Sequence, residues 1–377
     1  MALGPLEGFT VAVTADRRWK EQAELLTRRG ATVVHAPTMR TDYLTDEQAV
    51  REATVGVIAR PPDFFVATTG IGVRAWFEAA QSWGLGEDLL RALDGARVVA
   101  RGPKAAAVLQ ANGVEHVVRV AGERMEEVLG VVLDGLRPGD VVAVQQYGTD
   151  DPVARAALEQ AGAAVVEVPV YRWRAPEDRS PAERLVGAVC AGQVDAVTFT
   201  SAPSVRNLVS VAEELGREDE MLAALNGGQV VVACVGPVCA EGARQAGVAS
   251  PVAPEVGRLG LLIRVLTDAL AARRRQVPAD GGGGPVTIQG AAVERGSDVV
   301  RLSFRERMVL EALVDAAGGV VPKAALLRII GRASSDPHAV EVVMARLRRR
   351  LATVGLGAVA VPKRGYRLVV TPPTVLT

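Results

Sequence analysis

The chain has 377 residues, 49% of them hydrophobic, which is too many for a lone DNA-binding module and enough for two or three domains with sizeable cores. Formal charge is zero, yet residues 285–377 carry 14 Lys and Arg against 7 Asp and Glu, while residues 1–284 carry 29 against 36. The neutrality therefore hides a basic C-terminal region, net +7, on an acidic body, net −7, the pattern of a nucleic-acid module attached to something else.

Three separated histidines and three cysteines outside CxxC spacing support no metal site, and the odd thiol count fits a reducing compartment. Met1 to Gly8 has neither a basic region nor an apolar run, so no signal peptide is expected and the expected location is the cytoplasm. The longest uncharged stretch, Met221 to Ala240, is broken by Asn226, Gly227, Gly228 and Pro237. It reads as a buried strand with its loops, not as a membrane span.

Taken in chain order, residues 1–273 alternate short β-rich runs with Ala/Leu/Arg-rich helical stretches. Val11 to Thr14 precedes a helix ended by Gly30, and Ala31 to Pro37 is the next strand, which is βαβ grammar and implies parallel sheets. The grammar then repeats. Gly30 to Pro37 matches Gly162 to Pro169, and Thr68-Thr69 with Val73-Arg74 matches Thr200-Ser201 with Val205-Arg206. Gly102-Pro103 matches Gly236-Pro237. Offsets near 132 residues at three anchors predict two similar α/β halves.

Each half places two loops at strand ends and helix starts. Thr69, Gly70, Gly102 and Lys104 mark them in one half, and Thr14, Thr200, Ser201, Ser204 and Gly236 mark them in the other. Hydroxyls and free backbone N–H groups there suit an anionic ligand held in a cleft, although the same residues also cap helices. Gly70-Ile71-Gly72 is too little for a dinucleotide fingerprint.

On these residues, with Gly162 to Tyr171 and Phe199 to Val205, the body resembles uroporphyrinogen-III synthase over nearly all of residues 8–273. The resemblance implies two α/β subdomains, 1–37 with 171–273 and 38–170, joined by a two-stranded hinge. It implies a linear octacarboxylate tetrapyrrole as substrate, cyclised with loss of water and without cofactor or metal, and Tyr171 as the acid that helps the hydroxyl leave. The sequence departs from the family after each Gly-Pro, where threonines are usual: Lys104-Ala105 and Val238-Cys239 stand there, and Ala15 stands where an arginine is common. A cleft so altered can bind without turning over.

Residues 274–285 are glycine-rich and read as a flexible linker, with Arg273 to Arg275 answering the dipole of a helix C-terminus. Beyond it, Ser303-Phe304-Arg305-Glu306 is a capping box before an apolar helix, and Pro322 opens a second helix. Asp336-Pro337 starts a third. In the third, Val340, Met344, Leu347 and Leu351 share one face with Val343 beside them, while His338, Val342, Ala345, Arg346 and Arg349 share the other. Two short strands follow around Pro362-Lys363-Arg364-Gly365. Three helices and a hairpin with the third helix basic predict a winged helix-turn-helix over 286–377. Leu302-Ser303-x-x-Glu306, Leu347-Arg348-x-x-Leu351 and Gly365-Tyr366-Arg367-Leu368 carry a resemblance to the OmpR/PhoB DNA-binding family. It implies double-stranded DNA as partner, with His338, Val342, Arg346, Arg349 and Arg350 toward the major groove and Lys363, Arg364 and Arg367 in the wing.

Together these resemblances imply a DNA-binding transcriptional regulator with a synthase-like regulatory body, of an actinobacterial type linked to nitrate and nitrite assimilation. The alternative is an active synthase that also binds DNA. A tetrapyrrole or other anionic small molecule, a co-regulator protein and a second copy of the chain are the further partners. A glycine tether transmits little torque, so coupling is expected through a surface: the body covers the basic helix in one state, or a dimer contact changes.

Overall fold

The computed structural model describes residues 3–45, 47–148, 151–278, 284–330 and 338–370. It divides into two compact units, residues 39–177 and residues 1–38 with 178–377.

The unit 39–177 is built on a five-stranded parallel sheet. Its order is Val117–Arg119, Arg97–Ala100, Phe64–Ala67, Val141–Gln145, Ala164–Val168. All four residues of Phe64–Ala67 are buried, as a strand covered by helices on both faces requires. Helix Gly70–Ser82 follows that strand, and helix Pro103–Ala111 follows Arg97–Ala100. Arg40–Tyr43 and Tyr171–Arg174 form a separate antiparallel pair. That pairing draws Tyr171 to Arg174 into this unit, whereas the sequence reading put the break before Tyr171.

The other unit contains a four-stranded parallel sheet in the order Val231–Cys234, Ala196–Phe199, Thr10–Val13, Thr32–His35. Each of these strands has its equivalent in the first sheet, in the same order, with Val117–Arg119 as the extra edge. The repeat read from sequence is thus a repeat of topology. Within Met221–Ala240, the start closes helix Glu218–Asn226 rather than forming a loop, and Val231–Cys234 is the buried strand.

The C-terminal part of this unit holds helices Phe304–Asp315, Lys323–Ile330 and His338–Ala352, and the hairpin Leu356–Val361 with Gly365–Val370. Leu310, Leu313, Leu326, Val340, Met344, Leu347 and Leu351 form its buried core. The capping box is present, with the Ser303 side chain accepting from Glu306 N–H and the Glu306 carboxylate accepting from Ser303 N–H at 2.7 Å. The expected helix start at Asp336-Pro337 and the loop before it lie outside the described residues. The sequence reading missed an antiparallel sheet, Arg275–Val277, Val286–Gln289, Ala292–Arg295 and Asp298–Arg301 in that order. Its first strand falls inside the segment assigned to the linker.

Candidate DNA interface and ligand half-sites

The third helix buries the face predicted to dock and exposes the face predicted to read DNA. Val340, Val343, Met344, Leu347 and Leu351 are buried, whereas His338, Val342, Arg346 and Arg349 are exposed. Val342 is 50% exposed, which suits an apolar contact in a groove. A shallow groove between this helix and the start of Phe304–Asp315 is lined by Arg305, His338, Val342 and Arg346. Lys323 first, then His338, holds the Glu341 carboxyl below the usual carboxylate range.

Arg350 does not join that face. It donates to Arg301 O and lies 3.4 Å from the buried Glu306 carboxylate, so it ties the helix to the domain's own sheet. Arg348 is likewise engaged with its own domain, donating to Ala358 O and stacking 5.4 Å over Tyr366. Lys363, Arg364 and Arg367 are exposed on the hairpin, and Lys363 takes the left-handed conformation (φ 58°) that the tight tip requires. Gly365 must be glycine, since a Cβ there would lie 2.0 Å from Val321 O.

This domain is anchored on the body, not tethered to it. The Asp195 carboxylate accepts Arg307 Nη2 at 2.6 Å with one oxygen and Thr10 N–H at 2.7 Å with the other. Gln289 Nε2 donates to the carbonyls of Gly4 (2.9 Å) and Glu7 (2.7 Å), Ala291 N–H donates to Gly8 O (2.8 Å), and Arg301 pairs with Glu7. Gly8 (φ 83°) allows the approach, because a Cβ would sit 2.3 Å from Gln289 O. Arg273 donates to the carbonyls of Asp195, Gln229 and Gly228, and Arg274 to Pro5 O, so these arginines grip neighbouring loops instead of capping their own helix. The anchoring uses the antiparallel sheet and the first helix. That arrangement leaves the outer face of the basic helix open.

Of the hydroxyls assigned to a cleft in this unit, two are committed to structure. Thr14 is fully buried and donates to Thr198 O at 2.8 Å, and Ser204 donates to Ser201 O at 2.6 Å. Thr200 and Ser201 remain partly exposed beside the start of helix Ala202–Glu214. Gly236 precedes helix Pro237–Gln245, where Val238 is 46% exposed and Cys239 is buried with its thiol against Phe199 O.

In the unit 39–177 the predicted residues do converge. Thr69 caps helix Gly70–Ser82, accepting Gly72 N–H at 3.2 Å, and shares a 3.2 Å hydrogen bond with the Tyr171 hydroxyl. Gly70 is set by packing, since a Cβ would lie 2.6 Å from Lys104 O. Gly102 precedes helix Pro103–Ala111, Lys104 is exposed on its first turn and Ala105 is buried. Two residues escaped the sequence reading. Arg101 lies with its guanidinium 4.6 Å over the Tyr147 ring, and Tyr147 donates to Asp151 Oδ2 at 2.9 Å. Burial holds Arg101 below the ordinary arginine value. Burial, with the hydrogen bond to Asp151, pushes the Tyr147 phenol up to about 12.

Comparison with known proteins accounts for both parts. The family model for uroporphyrinogen-III synthase HemD matches residues 20–263, and that for the C-terminal domain of transcriptional regulatory proteins matches residues 296–368. A Bacillus subtilis protein, YjjA, is 31% identical over 263 residues, covering 68% of this chain and 94% of its own length. A crystal structure of a mutant uroporphyrinogen III synthase from Thermus thermophilus is 31% identical and covers 70% of this chain and all of its own, with a TM-score of 0.61. The wild-type enzyme in another crystal form gives 0.51 at the same identity and coverage of this chain.

Proposed function

The chain belongs to the uroporphyrinogen-III synthase HemD family and joins that body to a transcriptional-regulator DNA-binding domain, and from this premise we propose a transcriptional regulator whose body binds an anionic ligand rather than turning it over. The observation that carries the reading is the open basic helix on a domain locked to the body by other surfaces. A reader of DNA must keep that face free, and a regulator needs its sensing part mechanically joined to it. No helix among the described residues is long and apolar enough to cross a membrane.

Two substitutions in the full-length protein test the DNA reading. Arg349→Ala should cost about 1–3 kcal/mol on a specific site if Arg349 reads a guanine, and should relax the base preference at one position. Lys363→Ala should weaken all sequences alike and flatten the salt dependence by about one unit of slope. Unchanged affinity in both variants at moderate salt removes this helix and wing from the reading. On the resemblance to the actinobacterial type, we further propose genes of nitrate and nitrite assimilation as targets. A genome-wide binding map under nitrate and ammonium growth that omits such genes overturns that part.

One observation favours the enzyme as a second reading: the Thr69–Tyr171 hydroxyl pair is intact. Against it, Ala105 and Val238 cannot donate the hydrogen bonds that threonines would. Hydroxymethylbilane supplied to the full-length protein should therefore be cyclised weakly or not at all. Turnover at the level of the Thermus thermophilus enzyme assayed in parallel promotes the second reading.

A further inference from the structure

Arg101 ends the strand Arg97–Ala100, its N–H held by Ala67 O at 2.9 Å, and helix Pro103–Ala111 begins two residues later. The side chain is therefore fixed at the carboxyl edge of a parallel sheet, where open α/β folds place their ligands. It is half-buried and covered on one face by Tyr147. Among the described residues its guanidinium has no hydrogen-bond or ion-pair partner. Asp151 is nearby but is engaged by the Tyr147 hydroxyl, and Glu123 acts only at a distance. A half-buried guanidinium whose donors are unspent on the protein can take an acceptor that arrives from solvent. The Tyr171 phenol is close enough to feel the same charge.

We propose that Arg101 anchors a carboxylate subsite in the unit 39–177, with the Tyr147 ring as its floor and the Tyr171 and Thr69 hydroxyls beside it, taking one carboxylate of an organic polycarboxylate. This deepens the reading of the body as a ligand-binding domain and rests on it. A guanidinium meets a carboxylate through two parallel N–H···O bonds, and an aromatic floor fixes the plane in which that fork opens. Lysine supplies the charge without the fork.

The test uses full-length wild type, Arg101→Met and Arg101→Lys. The probes are uroporphyrin III, its octamethyl ester and tricarballylate, at constant ionic strength. Porphyrin binding is read by fluorescence and tricarballylate binding by calorimetry. Wild type should bind uroporphyrin III about ten- to a hundredfold more tightly than Arg101→Met, with Arg101→Lys between them. The octamethyl ester should bind both alike, because the carboxylate that Arg101 would recognise is masked. Without ligand, Arg101→Met should melt no lower than wild type, since it removes an uncompensated charge. A merely structural arginine would lower it. Equal binding of uroporphyrin III by wild type and Arg101→Met overturns the subsite and leaves the ligand-binding body standing. Tricarballylate binding that depends on Arg101, with no uroporphyrin binding, supports the subsite and removes the tetrapyrrole. Inorganic phosphate displacing tricarballylate at equal concentration makes this a general anion site and overturns the carboxylate assignment. Binding of neither probe by wild type overturns both.

Discussion

Arg101 and Arg307 are the same side chain in two opposite situations. Arg307 enters the joint between body and DNA-binding domain and finds Asp195 at 2.6 Å, with Glu311 at 2.8 Å on its other side. Burial acts to lower its pKa, but the hydrogen bond and charge of Asp195 more than offset this and leave it above the ordinary value. Arg101 is half-buried with no such partner among the described residues, and burial lowers its value. A buried cation supplied with its anion by the fold holds parts together. A half-buried cation without one keeps its donors for an acceptor from solvent, which is the role proposed for Arg101.

The strongest way to break the comparison is to make Arg307 resemble Arg101. Asp195→Ala takes the buried partner from Arg307, leaving it only the more exposed Glu311, and also strips Thr10 N–H of its acceptor. Loss of one partner of a buried pair costs about 3–5 kcal/mol, which urea denaturation of the full-length protein will measure. The double variant Asp195→Leu with Arg307→Met should recover most of the loss, because an apolar pair of similar volume replaces both charges. A single-variant cost below about 1 kcal/mol would mean that water reaches Arg307 and that the joint is looser than its geometry.

A smaller effect sharpens the joint's inner side. Ser303→Ala removes half of the capping box at the start of helix Phe304–Asp315, which carries both Arg307 and Glu306. Such a cap is worth about 0.5–2 kcal/mol. Glu306 also faces Arg350 of the DNA-reading helix, so the variant should weaken DNA binding slightly as well as lower the melting point. A melting point unchanged within error would show that docking on the body alone fixes the start of this helix.

The repeat was legible because topology left periodic marks: Gly30 to Pro37 and Gly162 to Pro169 hold equivalent strands, and Thr69 and Ser201 hold equivalent helix starts. The reading helix was legible because burial and exposure alternate at helical spacing. The joint was not. Arg307 looks in sequence like any charge on an amphipathic helix, and Asp195 like a turn residue, because partners 112 positions apart leave no local pattern. The sheet Arg275–Arg301 hid behind glycines and strands of three or four residues, too short to show alternation. Thr14 and Ser204 were misjudged for the converse reason. Their type suits a ligand, but their hydroxyls serve the backbone.

The smallest effect is also the one that reports on Arg101 directly. The Tyr147 phenol is pushed up to about 12, by burial first and then by Asp151, while Arg101 pulls it down. Its folded value lies above the unfolded value of about 10, so the fold favours the neutral phenol. That contribution to stability is complete below pH 10 and is lost as pH rises through 12. Tyr147 should titrate near 12 in an ultraviolet absorbance titration, and Tyr147→Phe should delete that step. The same variant should reduce the stability lost between pH 10 and 12. Arg101→Met should move the step higher still, since it removes the charge that favours the phenolate. A carboxylate bound at Arg101 should do the same to the wild-type protein by neutralising the guanidinium 4.6 Å from the ring. Saturating tricarballylate that leaves the Tyr147 step where it was places the anion elsewhere, and the contrast between the two arginines would then lose its functional half.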